Sequence, residues 1–149
     1  MGARRQAREA ALQILYLVDV GHMTVEAAAG AFWKDNPLPP RSREFATQLA
    51  EGAFTHRAGL DLLITKYAEN WEISRMATVD RNILRLAAFE LVHHHDTPVS
   101  VVIDEAVEIA KAYSTQDSGK FVNGILDKIK LERPPAPVQD GAAPTAPES

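Results

Sequence analysis

The chain of 149 residues has no cysteine. Disulfide staples and thiolate metal sites are therefore excluded, and the fold has to rest on packing and ion pairs. It also has no long apolar run: the 46% hydrophobic content is interrupted by charged residues throughout, and nothing approaches the roughly 20 residues that span a bilayer. The start does not read as a secretory leader, because Arg8 and Glu9 follow directly on Arg4-Arg5. Gln6 stands where N-myristoylation wants Ser or Thr. A cytoplasmic protein without membrane association is expected. Alternation with period two is missing over any useful length, which removes the sheet classes. An excess of positive charge is missing too, since 16 Lys and Arg face 20 Asp and Glu for a net charge of −4. Binding of polyanions through overall basicity is thereby excluded, and any cationic patch must be local.

Catalytic signatures are equally scarce. Gly119-Lys120 lacks the upstream glycine and the following Ser or Thr of a phosphate-binding loop. No strand-turn-helix context exists to expose a nucleophilic serine. His93-His94-His95-Asp96 is rich in metal-ligating types, but adjacent helical residues point apart and do not converge on one ion. Glu90-Leu91-Val92-His93 supplies one Glu-x-x-His element where a di-iron bundle needs two and two further glutamates. Glu90 reads better as a buried or half-buried acid paired with an arginine. No enzymatic activity, metal or cofactor is expected.

What is present is a helical period from one end to the other. Ala7, Ala11, Ile14, Leu15 and Val18 share one face of a first helix. Thr24 is placed to cap a short helix over Ala27 to Trp33, which Pro37, Pro39 and Pro40 end. A further helix is expected from about Arg41, with Phe45, Leu49, Gly52 and Ala53 on one side. Leu60, Leu63, Ile64, Tyr67 and Trp71 continue as one stripe ending near Asn70. Thr78 is a candidate N-cap for a helix apolar on two faces, Val79-Ile83-Leu86-Ala87 and Leu84-Ala88-Leu91. Such a helix is central, so its polar residues Asp80, Arg81, Arg85 and Glu90 carry more meaning than ordinary surface charges. Beyond Pro98 a helix opens at Ser100 or Val101, and a last one is capped by Asp117 or Ser118. The fold class is all-α, with six to eight short helices. Residues 1–132 form the domain; from Arg133 to Ser149 a Pro/Ala-rich tail has Val138 as its only large apolar residue and is expected to be disordered.

Two segments suggest what the helices present. Arg4, Arg5 and Arg8 lie along the rim of the first helix, with Leu12 and Tyr16 continuing their line. They are either a solvated helix end or a patch for an anionic partner. In Asp117-Ser118-Gly119-Lys120-Phe121-Val122-Asn123-Gly124-Ile125-Leu126-Asp127, Lys120 and Phe121 are expected in the first helical turn, where free N–H groups and the dipole favour phosphate. A cation beside an aromatic suits single-stranded nucleic acid; helical spacing to Ile125 equally suits a core ring. Gly124 within a helix costs roughly 1 kcal/mol against alanine, which close helix packing would explain.

These segments, with Val79-Asp80-Arg81-Asn82-Ile83-Leu84-Arg85 and Asp104-Glu105-Ala106-Val107-Glu108-Ile109-Ala110-Lys111, occur in an order and spacing that resembles the NusB family of bacterial antitermination factors, from about Arg4 to Ile129. The resemblance implies two helical subdomains and binding of the boxA element of ribosomal-operon leader RNA. It further implies pairing with NusE, a small-subunit ribosomal protein, and assembly with other Nus factors on the RNA polymerase elongation complex. Apart from the resemblance, a purely structural helical adaptor, or a homodimer that hides the RNA face, stays open. Carried onto this chain, the RNA-facing residues are Arg4, Arg5, Arg8, Tyr16, Tyr67, Asp80, Arg81, Asp117, Lys120 and Phe121. Gln6 replaces a basic residue of some members and thins the patch. A NusB-like domain also occurs fused to ribosomal RNA methyltransferases, but no glycine-rich strand-to-helix signal of a cofactor domain is present.

Overall fold

Helix α1 runs Ala3–Gly21, α2 Val25–Asp35, α3 Pro40–Thr55 and α4 Arg57–Tyr67 in a computed structural model that describes residues 2–135. A 3₁₀ turn at Ile73–Arg75 leads to α5 (Thr78–His93), α6 (Val99–Tyr113), α7 (Gln116–Ile129) and a closing 3₁₀ turn at Lys130–Glu132. No strand occurs among the described residues. The Pro/Ala-rich tail lies, from residue 136 onward, outside them.

The helix boundaries follow local chemistry. Thr24 caps α2 by accepting from the Ala27 N–H at 3.0 Å, Pro40 occupies the first position of α3, where its missing N–H is harmless, and Pro98 precedes α6. Three expectations shift. Thr78 is already helical, with Ala77 as the cap residue, and its carbonyl is taken by the Asn82 side chain at 2.9 Å. The cap of α7 is Thr115, whose Oγ1 accepts from the Ser118 N–H at 3.0 Å. That start puts Lys120 and Phe121 two or three residues deeper than the sequence suggests, beyond the free N–H groups of the helix end. Helix α4 stops at Tyr67 because Glu69 and Asn70 take positive φ values of 24° and 51°, so Trp71 stands outside the helix.

Helices α1–α3 pack as one subdomain and α4–α7 as the other, and α1 and α3 join the two by lying on α5. As its two apolar faces require, α5 is the central element, touching α1, α3, α4, α6 and α7 and buried from Asn82 through Leu91. Leu84, Leu91, Leu49, Leu60, Leu126 and Ile129 are fully enclosed there, each contributing about 1.5–3 kcal/mol through burial. The tight glycine is not Gly124, whose side a methyl group would find empty, but Gly52. A Cβ at Gly52 would lie 2.1 Å from Phe89 Cζ, so the α3 backbone rides directly on the aromatic ring of α5.

Candidate nucleic-acid interface

The three N-terminal arginines have three different fates. Arg4 is exposed, and its guanidinium carbon sits 3.8 Å from the centre of the Phe45 ring on α3, a cation–π stack that fixes an otherwise flexible side chain. Arg5 is half-buried and turned toward α6, where its Nε and Nη2 donate to the two carboxylate oxygens of Glu105, the second at 2.9 Å. This fork holds the Arg5 pKa above its ordinary value and, by the same hydrogen bonds and charge, Glu105 below its own. Arg8, expected on the rim, is 7% exposed and donates twice to Glu90 at 2.8 Å. The physical reason is that Arg8 shares the face of Leu12 and Leu15, both buried, and meets in Glu90 a carboxylate that is itself 2% exposed. Glu90 is thus the buried paired acid its setting implied.

At the other end of α1 a second polar cluster ties the helices together. Asp19 accepts from Arg81 Nε and Nη2 at 2.8 and 3.0 Å, from Asn82 at 3.0 Å and from Arg85 at 3.2 Å. Partial burial pushes the Asp19 carboxyl up, but the hydrogen bonds from Arg81 and Asn82 and the charges of Arg81 and Arg85 outweigh it and hold the group below its ordinary value. Arg85 also grips Asp61 of α4 with two bonds at 2.8 and 3.0 Å. Asp80 is buried and accepts from Ser118 Oγ at 3.0 Å, while Ser118 contacts Thr115 and Ser114. Of the polar residues expected to face a ligand here, Asp80 is therefore internal, Arg81 half-buried in an ion pair, and only Asp117 and Lys120 fully exposed.

The aromatics form a broken outer line. Tyr16 is 41% exposed. Phe121 is half-buried, with one side packed on the core and its ring edge-to-face with Trp71 at 5.6 Å. Tyr67 donates its hydroxyl to Glu132 at 2.6 Å, and Lys66 reaches the same carboxylate at 2.7 Å. Two further exposed rings are not marked as site residues by the sequence: Trp71, which continues a helical stripe, and Tyr113 at the end of α6, whose hydroxyl accepts from Gln13 at 3.4 Å. Their only signal is position at a helix end, where an apolar stripe runs out into solvent.

The pairings fix the layout. Arg5–Glu105 and Gln13–Tyr113 show that α1 and α6 run parallel, whereas Arg8–Glu90 and Asp19–Arg81 show α5 running antiparallel to α1. Arg4 and Arg5 therefore mark one end of the molecule and Asp80, Arg81 and Ser118 the other. Tyr16 lies about 16 Å along α1 from Arg5 at 1.5 Å per residue. Most of the expected residues fall into two groups at opposite ends of α1, with Tyr16 on the flank between; Tyr67, bonded to Glu132 beyond the end of α7, belongs to neither. Arg4 separates two open depressions of about 500 and 540 Å³, one shared with Arg5, His94 and Glu105, the other with Arg41, Glu44 and Gln48.

The histidines do not converge on a metal. His93 stacks on His56 at 4.0 Å between ring centres and also against Phe89, and no group of three potential ligands gathers among the described residues.

These features define an all-α protein of two helical subdomains sharing one central, polar-edged helix, with an exposed arginine at the head of its first helix and an exposed lysine beside a half-buried ring toward the other end. The family model of the NusB family matches residues 5–130. A transcription antitermination protein NusB of Sorangium cellulosum is 45% identical over 129 residues, covering 87% of this chain and 92% of that protein. Its counterpart in Elusimicrobium minutum is 47% identical, with coverages of 89% and 96%. Among solved structures, NusB of T. maritima superposes with a TM-score of 0.82 at 40% identity, covering 89% of this chain and 93% of that one. A complex of antitermination factors NusB and NusE with double-stranded RNA gives 0.81 at 30% identity, with coverages of 88% and 98%. The chain belongs to the NusB family.

Proposed function

We propose that the chain is a cytoplasmic transcription antitermination factor. In this reading it binds boxA-type single-stranded leader RNA of ribosomal operons together with NusE and acts on RNA polymerase elongation complexes. It performs recognition without catalysis. The observation that carries the reading is the head of α1: on a protein of net charge −4, Arg4 stands exposed and braced by Phe45 between two open depressions, with Arg5 beside it. The name of the relatives supports the antitermination role, and the NusE and double-stranded RNA of the solved complex support NusE and RNA as partners.

The chemistry divides by residue. Arg4 neutralises phosphate directly, and Arg5 offers what its fork to Glu105 leaves free. Tyr16 and the Phe121–Trp71 pair offer ring faces for splayed bases, with Lys120 neutralising the adjoining phosphate. Arg8, Arg81 and Asp80 act from beneath, setting the positions of α1, α5 and α7. A gel shift on a boxA RNA and a scrambled control, with and without NusE, tests the reading. Selective retention of boxA that strengthens with NusE is expected. Binding to neither RNA sinks it.

A further inference from the structure

Most of the arginines in this chain are spoken for. Arg5, Arg8, Arg75, Arg81 and Arg85 each face a carboxylate, and Arg133 donates to the carbonyls of His94 and Thr97. Among the described residues, Arg4, Arg41, Arg43 and Arg57 have no acidic partner. Three of these four adjoin one surface: Arg41 and Arg4 line one depression with Phe45 and Gln48, and Arg43 lines the next, with Trp33, Gln48 and Glu51. The two depressions share Glu44 and Gln48, so the surface is continuous from the head of α1 over the N-terminal half of α3. Aromatic rings brace two of the three cations along it, Arg4 on Phe45 at 3.8 Å and Arg43 on Trp33 at 5.3 Å.

We propose that the RNA track extends past the head of α1 onto α3, where Arg41 and Arg43 neutralise phosphates of nucleotides flanking the boxA core. The inference rests on the RNA reading above. Arg43, held against Trp33, loses little side-chain freedom on binding, and Arg41 and Arg43, each without a carboxylate, have the whole guanidinium fork available for phosphate. Lys34, exposed beside Trp33 and also without a carboxylate partner, adds to the same field. Glu44 and Glu51 are the acids on this face, and neither holds one of the arginines. RNA is favoured over an acidic protein segment by continuity, because the surface joins the depression shared by Arg4 and Arg5.

The test compares the full chain with Arg41→Gln/Arg43→Gln on two RNAs, a minimal boxA oligonucleotide and one extended at both ends by short uridine arms. On the extended RNA the variant is expected to lose about 1.4 from the salt slope, two contacts at about 0.7 each, and roughly twentyfold in affinity at 0.1 M salt. On the minimal RNA it should match the parent. Arg57→Gln, a free arginine braced on Phe54 and lining a different depression, should change neither. Equal slopes for variant and parent on the extended RNA overturn the inference while leaving the RNA reading intact. A loss that appears only when NusE is added assigns the surface to protein and also overturns it. Failure of the parent to bind either RNA overturns the RNA reading, and this inference with it.

Discussion

Arg8→Ala should destabilise the protein without changing how the folded state binds RNA. The substitution leaves Glu90, 2% exposed, without either of the two hydrogen bonds at 2.8 Å that satisfy its oxygens. Breaking a buried pair from one side costs about 3–5 kcal/mol, because a charge is stranded in a poorly solvating interior. A domain of this size has only about 5–15 kcal/mol in all, so the midpoint should fall by roughly 10–15 °C in a thermal melt followed by circular dichroism. Arg8→Met/Glu90→Leu removes both charges and should return to within about 1–2 kcal/mol of the parent. In RNA titrations below its midpoint, Arg8→Ala should keep the parent salt slope, whereas Arg4→Ala should lower it by about 0.7. A midpoint within about 2 °C of the parent, or a double variant less stable than Arg8→Ala, would refute the buried-pair account.

Gly52→Ala is expected to destabilise by about 1–3 kcal/mol in urea unfolding, since the new methyl meets the Phe89 ring; Gly124→Ala, with open space beside it, should stabilise by about 0.5–1 kcal/mol. The Asp19 carboxyl lies below its ordinary value of 3.8, so its stabilising contribution is complete above about pH 4 and lost as pH falls through the lower folded value. Asp19→Asn should therefore lower the midpoint at pH 7 and flatten the acid limb of a melting-versus-pH curve; a parallel curve would count against the pairing. Tyr16→Ala and Phe121→Ala should each cost about 1–3 kcal/mol in RNA affinity if a base stacks there. Unchanged affinity with a lower midpoint would assign the Phe121 ring to the core alone.

The fold was legible where the signal is local. The double apolar face around Ile83 and Leu84 announces a central helix, and Thr24 announces a cap, because both depend on residues within one or two turns. The fates of Arg4, Arg5 and Arg8 were not legible, because they are decided by Phe45, Glu105 and Glu90, far off in the chain. Gly52 and Gly124 look alike in sequence, and only the presence or absence of Phe89 across the interface separates them. The free arginines of α3 are not legible in the sequence for a related reason. Pairing is a tertiary property, and Arg41 and Arg43 gain their meaning only after Arg5, Arg8 and Arg81 are seen to be committed elsewhere.

The ion pairs that hold the helices together also settle their alignment. Stripes of alanine and leucine tolerate a slide of one helical turn, about 5.4 Å, at modest cost. The forks from Arg5 to Glu105, Arg8 to Glu90, Arg81 to Asp19 and Arg85 to Asp61 do not, because the same slide would part every one of them at once. In a chain without cysteines, and without strands among its described residues, to set a register, these charged pins select a single stacking of otherwise interchangeable rods.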